Sequence, residues 1–274
     1  MRLCELPCKH HQFKVKAEDT LATAINAMSK GSSVFLVVDN DDRLRGLITT
    51  SRVLSLLSAL KLSSRLSTYP ISLFVNERAI AMHYEYPIEA ALQLMVEERK
   101  HYIALVKGIK AIGLLSYRCF LSMLFNLKLE IDLEKLASKH IVTLLAHNSL
   151  AEAFRAMASI DYYEVPIVED EIVGILRLRD IISEVLDKGL EKLKVINVYG
   201  KCKLLDSKAR RFDEVLKLAL KEDINLVPLL RSDGSYGFIK LEDLFTHVVA
   251  ELGAFKVAEL IRSNRCAPQS VCGA

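Results

Sequence analysis

The sequence predicts an α/β (α+β) chain of four β-α-β-β-α repeats, and three observations predict it. Four amphipathic stripes occur at the helical spacing i, i+3, i+4, i+7: Leu21-Ala24-Ile25-Met28, Ile88-Ala91-Leu92-Met95, Leu150-Ala153-Phe154-Met157 and Phe212-Val215-Leu216-Ala219. Each stripe is followed by an apolar, β-branched run of strand character. Each run is followed by a glycine: Gly46, Gly113, Gly174 and Gly237. From the last stripe residue to that glycine the interval is 18, 18, 17 and 18 residues. A register held through four copies marks an internal repeat, which decides the fold before any local pattern does.

The elements follow in order. In repeat 1, FKVKAE is a short extended segment, and Asp19 or Thr20 can cap the first stripe helix. SVFLVVD is a strand, Asn40-Asp41-Asp42 a turn, RLRGLITT the returning strand and SRVLSLLSAL a second helix. Repeat 2 spans about 79–127, with strands HYIALVK and AIGLLS joined at Gly108. Repeat 3 spans 140–186, with YEVPIVED and IVGILRL. Repeat 4 spans about 195–249, with NLVPLLRS, the Asp233-Gly234 turn and YGFIKL. Pro166 and Pro228 fall at equivalent strand positions and point to an edge or irregularity, where the sheet can open to a pocket. The charged segment 127–139 reads as a connecting helix, and 252–262 as one more amphipathic helix.

Glycine-to-glycine spacings of 67, 61 and 63 residues are small for independent cores. Two modules of two repeats each are therefore expected: 1–127 and 128–263, with 264–274 as a flexible tail. A hydrophobic content of 51% and charged content of 26% describe a soluble globular chain. No uninterrupted apolar stretch of about 18 residues occurs, and the polar N-terminus does not read as a secretory signal. A cytoplasmic protein is the resulting expectation. A net charge of +3 is too small to argue for nucleic acid. Cys4, Cys8, His10 and His11, with Cys266 and Cys272, could ligate a metal, but their spacing matches no common zinc pattern; reduced thiols are the alternative.

The repeat endings carry the chemistry. They read GLITTSR, GLLSYRC, GILRLRD and GFIKLED. In this form, and with the helix stripe before each, the chain resembles the CBS-domain family, named after cystathionine β-synthase. That family ends each repeat in strand–Gly-h-h-Thr/Ser-x-x-Asp–helix, with h apolar, and packs two repeats as a pseudo-twofold Bateman module. Four repeats in one chain is the arrangement of the gamma subunit of AMP-activated protein kinase and of archaeal stand-alone CBS proteins. The resemblance covers about residues 13–250.

It implies a non-catalytic sensor of an adenosine-containing ligand: AMP, ADP, ATP or S-adenosylmethionine. It also implies a homodimer formed through the modules and a regulated protein partner. In such a site the glycine lets backbone approach the ligand. The hydroxyl and the following helix N-terminus face phosphate, and the acid accepts from the ribose hydroxyls.

Here the motif is divided between the halves. Thr49 and Ser116 keep the hydroxyl, but Arg52 and Cys119 stand where the acid belongs. Asp180 and Asp243 keep the acid, but Arg177 and Lys240 replace the hydroxyl. Asp180 and Asp243 are thus the candidate ribose ligands and Arg177 and Lys240 the candidate phosphate ligands. An acid in a first helical turn is also favoured by the dipole alone, and the two cations could be solvated charges. Thr49 and Ser116 read as helix caps before ligand groups. His101 aligns with a phosphate-contacting histidine of the kinase gamma subunit, or is a surface residue. Tyr163, Val165 and Pro166 line an adenine pocket or belong to the sheet core.

No nucleophile–base pair, paired catalytic acids or phosphate loop occurs, and the repeats leave no room for a fused enzyme. The alternative to a sensor is a dimerising scaffold with degenerate, empty sites. A nucleic-acid module ranks last, resting on modest basicity and Arg210-Arg211 without a stacking platform.

Overall fold

The computed structural model describes residues 1–6, 14–29, 33–50, 52–53, 69–75, 79–160, 162–181, 194–200, 203–205, 209 and 211–264. Repeat 1 contains β1 (Lys14–Lys16), α1 (Leu21–Ser29), β2 (Val34–Val38) and β3 (Leu44–Thr49). Repeat 2 contains β4 (Ala81–His83), α2 (Ile88–Glu97), β5 (Tyr102–Lys107), β6 (Lys110–Ser116) and α3 (Tyr117–Met123). A single turn, α4 (Leu133–Leu136), leads into repeat 3, which has α5 (Leu150–Ile160), β7 (Glu164–Val168) and β8 (Ile172–Arg177). Repeat 4 has α6 (Phe212–Glu222), β9 (Leu226–Leu230), β10 (Tyr236–Lys240) and α7 (Leu241–Leu252), followed by α8 (Ala254–Ser263). The helix–strand–strand core expected from the sequence is present in all four repeats, with the amphipathic C-terminal helix; the second helix SRVLSLLSAL of repeat 1 and the one after β8 in repeat 3 lie mostly outside the described residues. The tail 264–274 lies outside the described residues apart from its first residue.

Every residue of the four stripes is buried. Each large stripe side chain contributes about 1.5–3 kcal/mol through burial, so the stripes are what bind the helices to the sheets. Each repeat pairs its last two strands antiparallel: β2–β3, β5–β6, β7–β8 and β9–β10. In the first three the register shifts just beyond the glycine pair, at Val37/Val38, Leu105/Val106 and Ile167/Val168; repeat 4 has no such shift.

The outer strand differs between the halves, and proline explains it. β1 and β4 each pair in parallel over three residues with β2 and β5. In repeat 2 the Ala104 N–H donates to the Ile80 carbonyl at 2.9 Å. By register, Pro166 and Pro228 occupy the Ala104 position. They have no N–H to donate, so the outer ladder shrinks to the single bridges Leu144↔Ile167 and Leu205↔Leu229.

Among the described residues three apolar clusters hold the repeats together. The helix faces of repeats 1 and 3 share one, from Leu21, Ile25 and Ile48 to Leu150, Phe154 and Leu176. Those of repeats 2 and 4 share another, from Ile88, Leu92 and Phe120 to Phe212, Leu244 and Phe245. The sheets of repeats 1 and 2 meet through Val34, Leu36, Val38 and Leu47 against Ala104, Ala111 and Leu114. Their hairpins also bond through Leu44 N–H to Ile109 O and Ala111 N–H to Asp42 O. Within each half, sheet meets sheet; between halves, helix meets helix.

The connecting segment is not the long helix its charges suggest. Only Leu133–Leu136 is helical, capped by Asp132. Leu129 instead accepts from the Phe212 N–H, and buried Arg231 donates to the Glu134 and Ala137 carbonyls. The segment is pinned to repeat 4 by backbone groups that a continuous helix would have used internally.

Candidate functional site

The four motif endings begin alike, with a strand passing into a helix, and then diverge. The Thr49 Oγ1 accepts from the Arg52 N–H at 3.2 Å, and the Ser116 Oγ from the Cys119 N–H at 3.3 Å. Each hydroxyl satisfies one of the free donors of its own helix. Cys119, where the acid would stand, is buried and disulfide-bonded.

In repeat 3 the candidate phosphate ligand and the candidate ribose ligand pair with each other. Arg177 grips Asp180 through two bonds, Nε–Oδ2 at 2.6 Å and NH2–Oδ1 at 3.1 Å. Burial works against the Arg177 charge, but the Asp180 carboxylate outweighs it and holds the guanidinium above its ordinary pKa. The other arm of Arg177 points at the Glu222 and Asp223 carbonyls, the C-terminal end of α6, at 3.4 Å each. In repeat 4, Lys240 Nζ lies 4.7 Å above the Tyr162 ring. Asp243 is exposed in the first turn of α7.

The strand register places Ser33, His101, Tyr163 and Asn225 at one equivalent position, just before β2, β5, β7 and β9. All four take part in contacts between repeats, Ser33 and Tyr163 both through the Tyr102 side chain. His101 Nδ1 faces the Glu242 carboxylate at 3.3 Å and packs edge-on against Tyr117. Tyr163 stacks on Tyr162 with ring centroids 5.3 Å apart. Val165 is fully buried in the core shared by repeats 1 and 3, and Pro166 spends its carbonyl on the Leu144 N–H.

The heart of this region is polar. Glu164, the first residue of β7, is 2% exposed. Its carboxylate accepts from the Asn225 N–H at 2.8 Å, the Asn225 amide at 2.9 Å and the Leu226 N–H at 2.8 Å. Burial pushes its pKa up; the Asn225 bonds and the Arg118 charge oppose that. Asn225 Oδ1 in turn accepts from Tyr117 Oη at 3.2 Å and from Arg118 NH1 at 2.9 Å. Burial drives the phenols of Tyr117, Tyr162 and Tyr163 well above their ordinary pKa, and those of Tyr117 and Tyr162 donate to the Asn225 side chain and carbonyl.

The space left beside these groups is small. A cavity of about 40 Å³ is lined by Ser33, Thr50, Tyr163, Glu164, Arg177, Leu178, Arg179 and Asn225. That is room for little more than a water, well short of the roughly 300 Å³ at which small-molecule pockets begin. A wider cleft of about 590 Å³ lies at the far end of the β2–β3 hairpin from Thr49, among Glu18, Asp39, Asn40, Arg45 and Ser72.

The marker glycines at 174 and 237 admit the chain itself, not a ligand. A Cβ on Gly174 would stand 2.4 Å from the Gly200 carbonyl and from the Tyr199 ring. One on Gly237 would stand 2.9 Å from Ala137 Cβ and from Arg231. Of the candidate metal ligands, Cys4 is described and is a free thiol; Cys8, His10, His11, Cys266 and Cys272 lie outside the described residues. Among the described residues no helix is long and apolar enough to cross a membrane.

Comparison with known proteins fixes what this architecture is. The CBS-domain family model matches residues 8–59 and 133–187, that is, repeats 1 and 3. Those two segments match the CBS domain. Repeats 2 and 4 share the helix–strand–strand–helix order and the strand register of the glycine, so the fold supplies for them what sequence matching does not. The solved structures it resembles include a Methanocaldococcus jannaschii protein described as a proposed archaeal homologue of gamma-AMPK. The match has a TM-score of 0.77 at 13% identity and covers 90% of this chain and 100% of that one. Another is an uncharacterized conserved protein from Pyrococcus horikoshii, with a TM-score of 0.56 at 19% identity, covering 79% of this chain and 91% of that one. These likenesses establish the fold of paired CBS modules. No curated protein matches the sequence.

Glu164, Asn225, Arg118 and Asp223 are absent from the motif-based reading. One signal pointed to Glu164: an acid at the start of an apolar strand, where the register puts Val34, Tyr102 and Leu226 in the other repeats. The other three carry no local signature, because their partners are distant in sequence.

Proposed function

We propose that the protein is a non-catalytic regulatory sensor of an adenosine-containing ligand, AMP, ADP, ATP or S-adenosylmethionine, held between the paired CBS repeats of the C-terminal half. The observation that carries this reading is the division of labour at the motif. Thr49 and Ser116 are used up as helix caps, while Asp180 and Asp243 keep a carboxylate at the first helical turn beside an added cation.

Repeat 4 is the readier of the two places. Its Asp243 is exposed, and Lys240 is held over an aromatic ring instead of in a salt bridge. The carboxylate would accept from two ribose hydroxyls, and Lys240 would serve as a point charge for phosphate. In repeat 3 a ligand has to separate Arg177 from Asp180 first. Since the central cavity is only about 40 Å³, binding there has to move the repeats apart. A ligand that favours the opened packing thereby shifts the surface offered to a regulated protein or to a second copy of the chain. The cytoplasm, where such ligands are abundant, is the compartment this reading requires.

The small cavity also supports the alternative: a dimerising scaffold whose sites stay empty. A thermal-shift screen separates the two. A ligand at 100 times its Kd adds about 2.7 kcal/mol of stability. Stabilisation by one of the four adenosine ligands supports the sensor; no shift with any of them favours the scaffold.

A further inference from the structure

Three arginines from two repeats close on one aspartate of a third, two on its carboxylate and the third on its backbone carbonyl. Arg118 lies in the first turn of α3 in repeat 2; Arg177 and Arg179 lie at and just after the end of β8 in repeat 3. Asp223 is the C-cap of α6 in repeat 4 and holds φ 50°, ψ 53°, the left-handed region that Asp tolerates better than most residues. Arg118 NH2 donates to Asp223 Oδ1 at 2.8 Å, and Arg179 NH1 pairs with Asp223 Oδ2. Arg179 NH2 and Arg177 NH1 reach the Asp223 carbonyl at 3.1 and 3.4 Å.

Asp223 is the carboxylate that bridges two of these guanidiniums, Arg118 and Arg179. Arg177 is committed to Asp180, which also lies 3.9 Å from Arg179 Nε, and the charge of Arg118 acts on the buried Glu164 as well. All three arginines are about three-quarters buried, so these pairs are stronger than surface ion pairs. The cavity of about 40 Å³ adjoins the cluster through Arg177 and Arg179. A dianionic phosphate matches two guanidiniums better than one carboxylate does, because it offers more charge and more acceptor oxygens.

We infer that Asp223 is an internal stand-in for an anionic ligand, and that a phosphate-bearing molecule gains Arg118 and Arg179 only by displacing it. For the identity of the ligand this inference rests on the adenosine-sensor reading; the anion site itself does not. Displacement has a structural consequence. Asp223 ties repeat 4 to repeats 2 and 3, so its release loosens that junction when phosphate binds.

The test uses Asp223→Asn and Asp223→Gly in the full chain. Both residues accept the left-handed C-cap, so the helix end is kept. AMP, adenosine and inorganic pyrophosphate are titrated calorimetrically into each protein. The expected result is at least a tenfold gain in AMP affinity in both variants, no gain for adenosine, and loss of the AMP gain when Arg179→Ala is added. Equal AMP affinity in variant and wild type overturns the inference and leaves the sensor reading standing. An equal gain for adenosine also overturns it, because the effect then does not run through phosphate. If no adenosine compound binds any of the proteins, pyrophosphate decides. Binding to Asp223→Gly that Arg179→Ala removes upholds the anion site while the sensor reading fails; no binding overturns both.

Discussion

In repeats 1 and 2 the hydroxyls of Thr49 and Ser116 cap the helices that follow them, and the two sheets meet through an apolar layer. In repeats 3 and 4 the same positions hold Arg177 and Lys240, and the sheets meet through Glu164 and Asn225. The stripes, hairpins and register are common to both halves. The difference lies where strands end and helices begin, at positions 49, 116, 177 and 240, whose side chains belong to none of the apolar clusters. Residues there can be exchanged without disturbing the core, so one half has settled into structural service while the other retains charge. The outer strands show the same contrast, with three-residue ladders in the first half and single bridges at proline in the second.

Replacing the polar junction should cost more than replacing the apolar one. Glu164→Ala strands the Asn225 and Leu226 N–H groups and the Asn225 side-chain amide in a buried site. A loss of about 4 kcal/mol in urea unfolding is expected. Val34→Ala, at the equivalent place in repeat 1, should lose about 2 kcal/mol, from transfer and cavity terms alone. Equal losses would show that the junctions are not different in kind.

The marker glycines give the next contrast. Gly174→Ala drives a Cβ to 2.4 Å from a backbone carbonyl, whereas the nearest atom to a Cβ on Gly113 is 3.9 Å away. The first substitution should cost about 2 kcal/mol and the second should leave the unfolding midpoint unchanged. Ser116→Ala should cost about 1 kcal/mol through the lost cap, without altering nucleotide affinity. A change in affinity would return the N-terminal hydroxyls to the ligand site.

The smallest effects are in pH dependence, and two buried carboxyls of the C-terminal half should act with opposite sign. The Arg211 guanidinium beside Asp213 holds its carboxyl at about 2, below its ordinary 3.8. Asp213 therefore stabilises the fold above pH 3.8, and this contribution is lost as pH falls toward 2. Burial raises the Glu164 carboxyl above its ordinary 4.5, so the folded state holds its proton longer than the unfolded chain. Stability should accordingly fall as pH rises from 4.5 through the raised folded value. Asp213→Asn should flatten the acid limb of a stability–pH curve, and Glu164→Gln should flatten the limb above 4.5. The reverse assignment would contradict the environments described.

The parts of this fold that were legible in sequence are those set by local burial. The stripes at Leu21, Ile88, Leu150 and Phe212 declare helices because their apolar side chains recur each turn on one face. The hairpins follow from β-branched runs broken by Asp42, Gly108 and Gly234, all at positive φ. Thr49 and Ser116 were readable as caps because capping is local. Segment 127–139 misled because its charged residues suit a helix, while Leu129 and Glu130 are engaged with the start of α6. Gly174 and Gly237 suggested close approach, but a sequence does not say of what; the approaching groups are Tyr199, Gly200, Ala137 and Arg231. The polar centre was hidden for a stronger reason. Glu164 with Asn225, and Arg118 with Asp223, are 61 and 105 residues apart, beyond the reach of any periodicity.

The most direct test of the divided repeat is calorimetric titration of an adenosine ligand into the wild type and two double variants. The Asp180→Ala/Asp243→Ala protein should bind at least tenfold more weakly than wild type, and the Thr49→Ala/Ser116→Ala protein should bind as wild type does. Retained affinity in the first with loss in the second would place the ligand in the N-terminal half and contradict the division.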